Sequence, residues 1–219
     1  MAAKKSSITK DKIVSMYMKY RLENNEKPKS VYQFVKTNGF DETEFYSFFG
    51  TIESVEKEIF IMFLDKTVEL IRKDPSYEAY DMKSKVLSFY FTFFELLSAN
   101  RSYIVMSLKE HQNQLKNLMQ LSSLRVGFKR YITEIISDEV RTSHEKFQYF
   151  QEKAIQETSW FQFLLTIKFW LEDESAAFEK TDIYIEKSVK ATFELMNIAP
   201  LESIIDFGKF IFKEKIHNK

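Results

Sequence analysis

"FVKTNGFDETEFYSFFGTIESV", residues 34 to 55, decides how the chain folds. Asn38-Gly39 closes one short helix, because glycine accepts the left-handed conformation found just past a helix C-terminus. Asp41 can cap the next helix, and Glu44 three residues later completes a capping-box pattern. Phe45, Phe48 and Phe49 are expected to form that helix's inner face, with Gly50 ending it. Thr51 then caps a fourth helix from about Ile52 to Arg72, whose apolar stripe is Val55, Ile59, Met62, Phe63 and Ile71. Short helix, glycine turn, short helix, long helix is the order of a helix-turn-helix unit.

Outward from this stretch the apolar residues keep recurring at three and four. Upstream, a first helix is expected from about Thr9 to Glu23, with Ile13, Tyr17 and Tyr20 inward. A second spans about Ser30 to Thr37, with Val31, Phe34 and Val35 inward. Downstream, further helices are expected at about 77–98, 101–121, 123–141, 157–178, 182–197 and 201–215. The stretch "SDEVRTSHEKFQYFQEKAIQE" (137–157) is a polar connection or a frayed helix. Pro28, Pro75 and Pro200 fall where helices begin or end. Only four glycines and three prolines leave little for the tight turns of a sheet protein, so the fold class is all-α, with about nine to ten helices.

Composition narrows the function. Hydrophobic residues make up 44% of the 219, enough for a core, and the 22 phenylalanines are an unusual number. Lys plus Arg equals Asp plus Glu at 32 each, so no net field draws in nucleic acid. The absence of cysteine excludes disulfides, thiolate metal sites and cysteine nucleophiles. "MAAKKSSITKDK" has no apolar run behind its lysines, and "WFQFLLTIKFWL" (160–171) falls well short of the roughly 20 residues that span a bilayer. A soluble cytoplasmic protein is expected. His111, His144 and His217 are scattered, and "EKIH" (214–217) supplies one Glu-x-x-His where a helical di-iron site needs two. No phosphate-cradling glycine loop or nucleophile elbow is present, so neither catalysis, metal nor cofactor is expected.

With these residues in order, the N-terminal stretch resembles the helix-turn-helix of the TetR family of bacterial transcriptional regulators. Phe34 and Val35 stand at the family's apolar pair, Gly39 at its turn glycine, Phe40 at its apolar turn position and Asp41 at its capping serine. Phe45-Tyr46 and Phe49 match Leu-Tyr-x-x-Phe, and Thr51, Glu53 and Val55 match the start of its fourth helix. The resemblance implies a helix-turn-helix domain at 1–52 and a larger ligand-binding and dimerisation bundle at 53–219. It also implies three partners: operator DNA near the chain's own gene, an apolar small molecule or lipid, and a second copy through the C-terminal helices. By the same resemblance, Lys27, Lys29, Ser30, Tyr32 and Tyr46 fall at DNA backbone positions, and Glu42, Thr43, Glu44 and Ser47 face bases. A ligand pocket is placed among Tyr90, Phe94, Met106, Met119, Phe128, Phe163 and Trp170.

Two departures bear on DNA reading. Ile52 stands where the family carries a phosphate-binding lysine, and the reading helix has acids but no base. Asp41 and Glu44 suit the positive end of a helix dipole, so capping accounts for them without DNA. Residues 1–52 nonetheless carry nine basic side chains against six acidic ones, a net of +3, with Lys4, Lys5, Lys10 and Lys12 able to form an arm. A rival reading keeps the scaffold and drops the DNA. Some ubiquinone-biosynthesis accessory proteins look like TetR proteins and bind lipid, and the aromatic-rich "VLSFYFTFFELL" (86–97) suits such a role.

Overall fold

The computed structural model describes residues 8–110, 117, 120–136 and 145–198. Among them stand nine α-helices, two 3₁₀ turns and no strand. The helices are α1 (Lys10–Asn24), α2 (Val31–Asn38), α3 (Glu42–Tyr46), α4 (Ile52–Ile71), α5 (Met82–Ala99), α6 (Arg101–Leu108), α7 (Ser122–Ile136), α8 (Glu145–Glu172) and α9 (Glu179–Ile198). The 3₁₀ turns are Tyr77–Ala79 and Ala176–Phe178. The all-α expectation is met.

Several boundaries differ from the sequence reading. The helix expected at 77–98 begins at Met82, behind the 3₁₀ turn, and the one expected at 101–121 stops at Leu108. Of the two readings of 137–157, the helical one holds over 145–157, which is not frayed off but continuous with the rest of α8 to Glu172. The helix expected at 201–215 lies outside the described residues.

The chain divides into two compact units, one from Met1–Thr67 and Phe93–Gly127, the other from Val68–Thr92 and Phe128–Lys219. In the first unit the core is aromatic and centred on Phe34. Its ring meets those of Tyr17, Tyr20, Phe40 and Phe45 edge to face, with centroids 5.9 to 6.2 Å apart. Rings at these distances and tilts attract beyond the area they bury. Ile13, Val35, Phe49, Val55 and Ile59 are buried in the same unit.

The second unit also packs ring on ring. Phe89 stacks on Tyr131 at 4.7 Å and Phe128 on Phe163 at 4.6 Å, while Tyr90 meets Phe163 edge-on at 5.5 Å. The Tyr77 and Tyr131 hydroxyls share a hydrogen bond at 2.9 Å, and Tyr131 also donates to the Lys85 carbonyl. Phe169 stacks on Tyr184 and Gln162 donates to Ser188, so α8 and α9 run antiparallel. Between them Asp173 accepts from the backbone N–H and the hydroxyl of both Ser175 and Thr181, which closes the turn. Burial alone would push the Asp173 carboxyl up, but these hydrogen bonds hold it down at about 2.

Candidate nucleic-acid interface

The α2–α3–α4 unit is assembled by its caps. Ser30 is extended, and its hydroxyl accepts from the Gln33 N–H at 3.1 Å, which starts α2. Gly39, at φ 73°, ends α2 by donating to the Val35 carbonyl. At α3 the capping box closes: Glu44's carboxylate accepts from the Asp41 N–H at 3.0 Å, and Asp41's side chain accepts from the Glu44 N–H. Thr51 and Ser54 repeat the arrangement at α4, each hydroxyl accepting the other's N–H at 3.2 Å.

These caps fix which side chains face outward. Tyr32 on α2 is 59% exposed, with the Lys36 ammonium 5.6 Å from its ring centroid. Tyr46 at the end of α3 is 54% exposed, its ring edge-on to buried Phe45. Thr43 and Ser47 are exposed as well, although the Ser47 hydroxyl donates back to the Glu44 carbonyl at 2.7 Å. Lys29 is exposed at the start of α2, its backbone N–H held by the Gln33 side chain. Glu42 is half-buried and Glu44 is committed to the cap. Phe48, expected inward, is 43% exposed: α3 ends at Tyr46, so Phe45 and Phe49 alone fill the inner side.

Two features subtract positive charge. Ile52, where the resemblance puts a lysine, is buried at 7% exposure. Lys27 does not project freely either; its ammonium lies 2.8 Å from the Glu56 carboxylate and 3.4 Å from that of Glu110. Lys10 pairs with Glu58 at 2.5 Å beside the Phe49 ring. Lys4 and Lys5 lie outside the described residues.

The residues expected around a ligand are distributed over both units. Tyr90, Phe128 and Phe163 share the aromatic cluster of the second unit, and Trp170, also buried there, meets the Phe178 ring at 6.2 Å. Phe94 and Met106 belong to the first unit, where Phe94 is edge-on to Phe93. Met119 lies outside the described residues. Beside Tyr90 in the second unit lies a cavity of about 20 Å³, room for roughly one water. Val86, Ile132 and Ile155 line its apolar wall, and Ser159, Gln162 and Thr192 its polar one. The Thr192 hydroxyl donates to Gln162 at 3.2 Å. Sequence reading missed these three; Gln162, a polar residue inside the apolar run 160–171, was the available signal. The first unit also has an open cleft of about 560 Å³ between Met18 and Leu22 of α1 and Asn100, Arg101 and Tyr103 at the α5–α6 junction.

No curated protein matches this chain as a relative. Residues 85–211, more than half of the chain, match the family described as "Tetracyclin repressor-like, C-terminal domain". That match lies wholly downstream of the N-terminal motif. The chain belongs to the tetracycline-repressor-like (TetR) family.

Proposed function

We propose that the protein is a cytoplasmic transcriptional regulator that binds DNA as a homodimer and responds to an apolar small molecule. It works by binding rather than by catalysis. The single observation that carries the DNA half is the completed helix-turn-helix: Ser30, Gly39, the Asp41–Glu44 box and Thr51 all cap as such a unit requires, with Tyr32, Thr43, Tyr46 and Ser47 outward. Residues 1–52 form the reading domain in this account, and residues 53–219 hold the ligand and the dimer contact.

Lys29, Ser30, Tyr32 and Tyr46 supply backbone contacts, which position the protein, while Thr43, Ser47 and Glu42 face base edges. Carboxylates on a reading helix accept from cytosine and repel phosphate, so the site favours selectivity over tightness. Ligand binding centres on the cavity beside Tyr90, which widens by moving the neighbouring Phe128 and Phe163 rings, with Gln162 and Thr192 as the polar pair that orients a mostly apolar molecule. Phe161 and Leu165, one turn apart on α8, and Ile183 on α9 stand exposed and suit burial against a second copy. Among the described residues no helix is long and apolar enough to cross a membrane.

The test is binding of duplex DNA flanking the chain's own gene by the wild type and by Lys29→Glu. Reversal of that one exposed charge should weaken binding at least roughly tenfold, as expected when a phosphate contact becomes a repulsion. An unchanged affinity would remove α2 from the interface.

A second reading is favoured by the missing positive charge at Ile52 and Lys27: a lipid-binding protein on the same scaffold that no longer reads DNA. Mass spectrometry of the intact protein under gentle conditions separates the two, since a lipid carrier should retain a ligand of discrete mass through purification.

A further inference from the structure

One group of charges in the first unit includes Lys27, three residues before the α2 cap Ser30. Arg21 on α1 is only 4% exposed, and its guanidinium lies 3.8 Å from the Glu56 carboxylate on α4 and 3.5 Å from that of Glu110, just beyond α6. Lys27, in the loop before α2, touches the same two carboxylates. The Tyr17 hydroxyl donates to Glu56 at 2.5 Å. Two cations and two carboxylates therefore form one electrically neutral square, drawn from α1, the loop before α2, α4 and the end of α6.

The square is shared rather than divided into pairs. Arg21 Nε and Nη1 have no hydrogen-bond partner among the described residues, and Nη1 stands 3.8 Å from Glu56, the distance of an ion pair without a hydrogen bond. Partly buried carboxylates left without a counter-ion are costly, and Lys27 Nζ is the closest cation to Glu56. An incoming phosphate must therefore compete with two fixed carboxylates for the same ammonium. These oxygens are already desolvated and in place, whereas phosphate must shed its own hydration to replace them.

We propose that Glu56 and Glu110 act as an internal counter-ion clamp that withholds Lys27 from phosphate and so sets how tightly the reading unit holds DNA. The DNA part of this inference rests on the regulator reading above; the clamp itself does not. Glu110 is a positioning residue in it, acting on DNA only through Lys27.

The experiment has one readout without DNA and one with it. Amine acetylation by an activated ester, followed by peptide mass spectrometry, should label Lys27 several-fold more slowly than Lys29 in the wild type. In Glu110→Gln, which leaves Glu56 as its one carboxylate partner, Lys27 should label faster than in the wild type, and in Glu56→Gln/Glu110→Gln it should approach the rate of Lys29. Equal labelling of the two lysines in the wild type would overturn the clamp.

On generic duplex DNA at low salt, Glu110→Gln should bind roughly tenfold tighter, and the slope of log affinity against log salt should steepen by about 0.9, one added phosphate contact. Adding Lys27→Gln to Glu110→Gln should erase both gains. If Glu110→Gln fails to fold, Lys27→Gln alone decides: a withheld lysine leaves DNA affinity within about twofold, and a loss equal to that of Lys29→Gln would overturn the proposal. A released Lys27 with no DNA bound by any variant would leave the clamp standing and sink the regulator reading instead.

Discussion

The Tyr17 hydroxyl reaches across from α1 to the Glu56 carboxylate on α4 at 2.5 Å, while the Tyr17 ring stays edge-on to Phe34. One side chain thus serves both the aromatic core and the charge square. Burial, then the hydrogen bond to Glu56, pushes the phenol's pKa up. Tyr17→Phe keeps the ring contact and removes only the hydrogen bond, so it should cost about 1.5–3 kcal/mol, the range for a bond to a charged group. Urea denaturation should show a lower midpoint with an unchanged slope. An unchanged midpoint would mean that the cations alone hold Glu56.

High pH should unfold the protein through its buried phenols. Burial pushes the hydroxyls of Tyr17, Tyr90, Tyr103 and Tyr131 up from their ordinary value. In the unfolded chain they lose protons near pH 10. Stability is therefore fully present below about pH 10 and falls as pH rises beyond it, because only the unfolded state has released its protons. Asp173 acts in the opposite direction, its stabilisation present above the ordinary carboxylate range near 4 and lost as pH falls through about 2. Thermal melts from pH 7 to 11 check the first claim by a steady drop in midpoint above pH 10; a flat profile there would contradict it.

The turn between α2 and α3 depends on one backbone conformation. Gly39→Ala should destabilise by about 1 kcal/mol, because Gly39 sits at φ 73° even though no atom would touch the added methyl. Gly50→Ala is the control: it too has open space, without a positive φ, and should cost little. Equal losses at the two sites would argue against the cap.

Glu44 and Glu42 separate the capping acid from the one outside the cap. Glu44→Ala removes half of the capping box and should cost about 1 kcal/mol. Glu42→Gln takes no part in the box, so it should leave stability within about 0.5 kcal/mol and tighten non-specific DNA binding by removing a repulsion. Chemical denaturation and DNA titration of both variants distinguish these roles.

What the sequence made legible was local. Gly39, Asp41, Glu44 and Thr51 announce their caps because each acts on a backbone group within a few residues, whereas Ser30, read as the first residue of its helix, is its cap. The Phe34 core followed from helical spacing. Phe48 was misplaced because a five-residue helix gives too few turns for periodicity to hold to its end. The joining of 145–157 to α8 was hidden by a polar composition that suits an exposed helix as well as a loop. Lys27 was the least legible: nothing near it in sequence announces Glu56 or Glu110, which only folding brings to it. Ser159, Gln162 and Thr192 meet at the small cavity for the same reason.

The most direct test of the central claim is fluorescence anisotropy of the wild-type protein with DNA flanking its own gene, across a salt series. The account predicts saturable, sequence-dependent binding whose affinity falls with salt, with a shallow slope because Ile52 and Lys27 supply no phosphate contact. Absence of binding even at low salt, with folded protein in the cuvette, would contradict it and move the function to the ligand site proposed in the second unit.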